Sequence, residues 1–216
     1  MLLITQRNRL WMAAAFGFAA MALYGVVGAA TEELSPTVLP FWAIDRGTPL
    51  IPWTFWVYAT IYLIYAAACL LLDDLRALRA FLTSYAIANV LSSVVFLAFP
   101  TTFPRDLFPV GVSQLSEPVS SQALAWFRTV DRPTNCFPSM HVGCATLSAL
   151  AFRRRQPRLF IVFAVWASAI SVATMTTKQH YFIDVIGGAT LGVASYWIAE
   201  RVQAGGRDSK PLESSL

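Results

Sequence analysis

Apolar residues dominate six stretches of the chain, roughly 10–30, 53–72, 80–99, 137–152, 159–175 and 182–199, and polar or proline-rich segments separate them. A helix needs about 20 such residues to cross the hydrocarbon core of a bilayer. The fourth stretch is the shortest, but Arg153, Arg154 and Arg155 follow it and can snorkel, letting its helix run past the apolar part. The pattern predicts an all-α membrane protein: a six-transmembrane-helix bundle forming one domain over residues 1–202, with a polar, disordered tail at 203–216. The first stretch has a second reading as a signal peptide, because Arg7 and Arg9 precede it and Gly28-Ala29-Ala30 ends it. Its apolar run exceeds the usual length of about 7–15 residues for such a segment.

Lysine and arginine in the loops set the orientation. With the N-terminus in the cytoplasm, that side holds Arg7, Arg9, Arg76, Arg79, Arg153, Arg154, Arg155, Arg158, Arg201, Arg207 and Lys210. The far side holds only Arg46, Arg105, Arg128, Arg132 and Lys178. The expected protein is therefore a multi-pass protein of the cell inner or plasma membrane with both termini cytoplasmic. Three segments face outward, about 31–52, 100–136 and 176–181. The longest carries Pro104, Pro109, Pro118 and Pro133 and reads mostly as loop. Within it, Ser120 to Val130 suits a short interfacial helix with Leu124, Trp126 and Phe127 toward lipid. Trp42, Trp53 and Trp56 stand where an aromatic belt anchors a membrane protein.

Composition agrees with a bilayer setting. Of 216 residues, 56% are hydrophobic and 13% charged, against about 25% charged in soluble domains. The net charge of +4 does not indicate nucleic acid, because the basic residues lie in short tracts between apolar runs. Cys69 and Cys144 lie in apolar stretches and Cys136 just before one, with neither metal-ligand spacing nor an even disulfide set. No cofactor and no metal is expected.

The chemistry gathers at two histidines, the chain's entire complement. His141 opens the fourth stretch; His180 stands just before the sixth, and Asp184 follows four residues later. Charged groups in a membrane are costly, about 2.5–3.5 kcal/mol at the bilayer centre on insertion scales. The loop-charge topology brings both histidines to the outer face. Positions i and i+4 stack on one helix face, so Asp184 can accept a hydrogen bond from one nitrogen of His180 and leave the other more nucleophilic. Alternatively Asp184 is simply a helix cap. A phosphoryl group would need donors for its oxygens, and Arg105, Arg128, Arg132, Lys178 and Ser139 lie near in sequence. Arg128 reads more readily as a loop charge or a lipid headgroup contact.

Two strings carry a resemblance: Asn135-Cys136-Phe137-Pro138-Ser139-Met140-His141-Val142 and Thr177-Lys178-Gln179-His180-Tyr181-Phe182-Ile183-Asp184. They resemble the type 2 phosphatidic acid phosphatase superfamily, in particular its inositol phosphorylceramide synthase-like branch, over about residues 45–195. The resemblance implies that His180 attacks phosphorus to form a phosphohistidine, that Asp184 orients it, and that His141 is the general acid. It also implies independence of metal. The usual first motif, Lys-x6-Arg-Pro, is absent; Arg105 is chosen in its place, while Arg132-Pro133 has the right dipeptide close to Pro138. The usual Ser-Arg pair before the second histidine is replaced by Ala173 and Thr174, which leaves Lys178 to supply charge, and Met140 stands where glycine is commonest.

The expected function is phosphoryl transfer on a lipid phosphate, with hydrolysis as the leading outcome and headgroup transfer to a lipid or polyol alcohol as the alternative. A non-enzymatic transporter with structural or proton-relaying histidines is the third reading. The expected partners are the lipid phosphate substrate and membrane lipids. The expected phosphate contacts are Arg105, Ser139, Lys178 and Arg132.

Overall fold

A computed structural model describes residues 4–110 and 118–208. The chain is mostly helical. Its helices are α1 (Arg9–Glu32), α2 (Ala43–Gly47), α3 (Thr54–Ala59), α4 (Ile61–Leu71), α5 (Leu75–Ala98), α6 (Pro118–Val130), α7 (Met140–Leu150), α8 (Pro157–Thr176) and α9 (Phe182–Asp208). Among the described residues, five stretches are long and apolar enough to cross a membrane: Arg9–Glu32, Thr54–Leu71, Leu75–Ala98, Pro157–Thr176 and Phe182–Ala204. Their outer faces are apolar, with Trp11 80% and Phe18 76% exposed on α1. A surface of that kind suits lipid, and the protein is a multi-pass membrane protein.

The fourth apolar stretch departs from expectation. Its helix α7 has 11 residues, about 16 Å at 1.5 Å per residue, and turns occupy 151–155 where the arginines were expected to prolong it. It compensates by position. Met140, Val142, Gly143, Cys144, Ala145, Leu147, Ser148 and Ala149 are all buried, and α7 packs against α4, α5, α8 and α9. The second stretch is also divided, at Thr60 between α3 and α4, where the Thr60 hydroxyl donates to Val57 O and accepts from Trp166 Nε1. At the C-terminus α9 continues to Asp208, past the boundary at 203, and the rest of the expected tail, 209–216, lies outside the described residues.

The segments expected to face outward are tied to one another. A two-stranded parallel sheet pairs β1 (Thr37–Val38) with β2 (Thr101–Thr102), and Thr102 also bridges to Thr134. These short strands are the departure from an all-α fold. Below them Phe103, Cys136 and Tyr181 form a buried cluster joined by Phe41 and Phe108. Of the loop expected over 100–136, residues 111–117 lie outside the described residues. Helix α6 forms close to where it was expected, but Leu124 faces inward, fully buried with Phe55, Tyr58 and Ala173. Phe127, one turn on, packs on the same pair of rings, so the outward face is left to Trp126, 65% exposed.

Candidate active site

Helix α8 ends in a turn that delivers His180. Thr177 caps it, Lys178 takes a left-handed φ of 55°, and the amides of Gln179 and His180 both donate to Thr174 O. The Lys178 ammonium closes this turn onto the 31–52 segment, donating to Asp45 O at 3.0 Å and Thr48 O at 2.5 Å, with the Phe108 ring beneath it. Asp45 is a second clamp: one carboxylate oxygen accepts from Trp42 N and the other from Phe182 N at the start of α9. Sequence reading missed Asp45, although it follows closely on the aromatic pair Phe41-Trp42 in an outward segment.

Asp184 serves both roles weighed for it. Its Oδ2 accepts from Tyr181 N at 2.9 Å, capping α9, and lies 3.3 Å from His180 Nδ1. Its Oδ1 is buried without a partner. Ser139 caps α7, its hydroxyl accepting from Val142 N, while its own amide donates to Asp184 O. The first turns of α7 and α9 are thus joined by backbone. The His141 and His180 rings lie 5.7 Å apart, centroid to centroid. Tyr58 stacks on His141 at 4.5 Å.

Around these rings the arginines divide differently from expectation. Arg105 donates to Asp131 O and Asp131 Oδ2, at 2.6 and 2.7 Å, and its Nε is buried without a partner. Burial pushes the Asp131 carboxyl above its ordinary range, against the pull of Arg105. Arg128, read from sequence as a loop or headgroup charge, is instead drawn inward, donating to Phe108 O and Thr177 O, with its Nε also buried and unpartnered. Burial and the neighbouring Arg105 lower its pKa to about 10. Arg132 turns away to pair with Glu32 at the surface. Lys178 is engaged by carbonyls, as described. Of the four expected phosphate contacts, Arg105 and Ser139 stand with the histidines, whereas the cationic ends of Lys178 and Arg132 are held elsewhere.

A cavity of about 530 Å³ reaches His141 from between α1, α4 and α5. Ala14, Gly17, Met21, Gly25 and Ile61 line its membrane side; Asp131, Asn135 and His141 line its head. His180 does not line it.

Two imidazoles and one carboxylate thus meet at one end of the bundle, with His141 at the head of an apolar cavity. The profile of the PAP2 superfamily matches residues 34–198. The chain belongs to the PAP2 superfamily. Among curated proteins, this PAP2 chain is 29% identical over 148 residues to an inositol phosphorylceramide synthase of Candida albicans, covering 62% of the chain and 31% of that protein. It is 40% identical over 55 residues to an inositol phosphorylceramide synthase catalytic subunit of Saccharomyces cerevisiae, covering 26% and 14%. An uncharacterized protein of Methanocaldococcus jannaschii is 34% identical over 71 residues, covering 33% and 29%. The PAP2 chain thus spans less than a third of the length of these relatives. Together these likenesses make it a PAP2 superfamily protein similar in part to the inositol phosphorylceramide synthases.

Proposed function

We propose that the protein is a metal-independent lipid phosphate phosphatase that works through a phosphohistidine at His180. The observation that carries this reading is the 5.7 Å approach of the two imidazoles, of which His141 lines the head of the 530 Å³ cavity, a volume within the usual range for a ligand pocket, about 300–1,000 Å³. With its Nδ1 proton held toward Asp184, His180 presents an unprotonated Nε2 to phosphorus. His141 protonates the departing oxygen as the phosphorus–oxygen bond breaks, and then takes a proton from the water that releases phosphate. Arg105, Arg128 and the amides opening α7 receive the nonbridging oxygens. The unpartnered Nε atoms of the two arginines support this role, since buried donors are seldom left unpaired. The lipid chain occupies the cavity between α1 and α4.

In this reading α7 completes a six-helix bundle, with the site at the non-cytoplasmic interface and both termini in the cytoplasm. The loop-charge asymmetry supports that orientation. A second reading, transfer of the phospho-headgroup to a lipid or polyol alcohol, draws support from the relatives named inositol phosphorylceramide synthase.

The test is a panel of short- and long-chain lipid phosphates assayed with EDTA present, scoring free phosphate and labelled phosphodiester. Phosphate release that survives chelation, is abolished in His180→Ala, and gives way to a trapped phosphoenzyme in His141→Ala supports the reading. Wild-type turnover by His180→Ala overturns it. A labelled phosphodiester formed from an added alcohol shifts it to transfer.

A further inference from the structure

The Cys136 thiol has no part in the mechanism above, yet it stands beside two groups that do. Cys136 Sγ, a ring nitrogen of His180 and a carboxylate oxygen of Asp184 all lie within 4.8 Å of one another, and all three residues are buried. Cys136 lies at the end of the loop that leads into α7, and its thiol reaches Pro133 O and Gln179 O. Asp184 Oδ1 is a fully buried acceptor with nothing to accept from. Such an atom is costly to leave unpaired, and it belongs to the same carboxylate that faces His180.

We propose that Cys136, His180 and Asp184 bind a thiophilic divalent cation, with the chemistry of Zn2+, and that this ion switches the enzyme off by capturing the nucleophile. One sulfur, one nitrogen and one oxygen, with a fourth position open, suit zinc. Magnesium and calcium require shells of oxygen. Zinc bonds of about 2.0–2.3 Å put donors roughly 3.5 Å apart, so the three side chains need close by only about an ångström. On binding, the Cys136 thiol proton passes to solvent and the thiolate bonds the metal. Either ring nitrogen gives inhibition. Coordination through Nε2 removes the lone pair that attacks phosphorus. Coordination through Nδ1 moves its proton to Nε2, which then has no lone pair for phosphorus. The inhibition rests on His180 being the nucleophile; the binding does not.

The full-length protein in detergent or nanodiscs is titrated with Co2+ as a spectroscopic stand-in and with Zn2+ in the turnover assay, using Mg2+ as the hard-ion control. A thiolate-to-cobalt charge-transfer band is expected at one cobalt per chain. It is erased by one equivalent of zinc, lost in Cys136→Ser, and kept when Cys69→Ser and Cys144→Ser are combined. Zinc inhibition is expected to be reversed by EDTA and to weaken by about tenfold or more in Cys136→Ser. No band in the wild type, or equal zinc sensitivity with and without Cys136, overturns the proposal. If Cys136→Ser does not fold, the stoichiometric, zinc-displaceable band in the Cys69→Ser/Cys144→Ser protein decides alone. A chain without turnover on any phosphate still reports the site through cobalt, and a missing band leaves the phosphohistidine reading intact.

Discussion

Gly188 on α9 lies directly against the backbone of Ser139, the residue that caps α7. A Cβ at Gly188 would stand 2.3 Å from Ser139 O and 3.0 Å from Val142 Cβ. One turn on, a Cβ at Gly192 would meet Gly143 O at 2.8 Å. Small residues let two membrane helices touch by backbone, and here that contact sets how far His141 stands from the His180–Asp184 pair.

Gly188→Ala is therefore expected to lower stability by about 1–3 kcal/mol, the usual range for overpacking, and to cut turnover by moving α7 off α9. Gly25→Ala is the control, since nothing lies within 4 Å of a Cβ there. Thermal unfolding of both variants in one detergent checks this. A Gly188→Ala protein that melts with the wild type means the two helices are not set by this contact.

Lys178 and Arg105 test the proposed division between structural and phosphate-binding cations. The Lys178 ammonium is held by Asp45 O and Thr48 O, so Lys178→Met leaves two carbonyls unpaired and is expected to cost about 1–3 kcal/mol of stability. Its effect on inhibition by orthovanadate, a phosphate mimic, is expected to be small. Arg105→Ala is expected to raise the vanadate inhibition constant about tenfold or more, with a loss of stability at least as large, because it leaves Asp131 O and the Asp131 carboxyl unpaired. Ranking both variants in melting and inhibition assays tests the division; a large vanadate effect at Lys178 alone returns it to the phosphate site.

The pH dependence of stability isolates Asp131. Its folded-state pKa is raised above the ordinary 3.8, first by burial. A raised carboxyl favours folding most while protonated, so its contribution is present below about 4 and is lost as pH climbs through the folded value. Asp131→Asn does not titrate. It is expected to gain on the wild type in melting temperature as pH rises from 3.8 toward neutrality. A gap that moves the other way means the Arg105 ion pair outweighs burial.

The sequence made much of this site legible because the membrane makes polar residues rare. Against apolar runs, His141 and Asp184 stand out, and the i, i+4 spacing of His180 and Asp184 already implied their contact. The topology argument from loop charges reached the same pairing of distant segments. What stayed hidden depends on side-chain direction. Nothing in the spacing of Lys178 says that its left-handed backbone aims the ammonium at Asp45 and Thr48. Nothing marks Arg128 as drawn inward, because a single arginine on an amphipathic helix looks the same whether it faces solvent or a carbonyl. Asp131, beside Arg132-Pro133, offered a faint signal as an acid among basic neighbours. The shortness of α7 was visible, but its burial among four helices was not, since periodicity reports one helix at a time.

The cavity that meets His141 gives the sharpest test of where the lipid lies. Gly25 lines it, and space is open around its Cα. Gly25→Phe places a ring in the path of a chain threading between α1 and α4 without displacing a neighbour. Each methylene removed from an apolar site costs about 0.8 kcal/mol, so expelling two of them raises KM for a long-chain lipid phosphate about tenfold. A short-chain substrate that ends before Gly25 keeps its KM, and kcat stays the same for both, because chain burial is equal in the ground and transition states. Steady-state kinetics over a chain-length series decide the matter. If Gly25→Phe alters short- and long-chain substrates alike, or neither, the chain does not run between these helices.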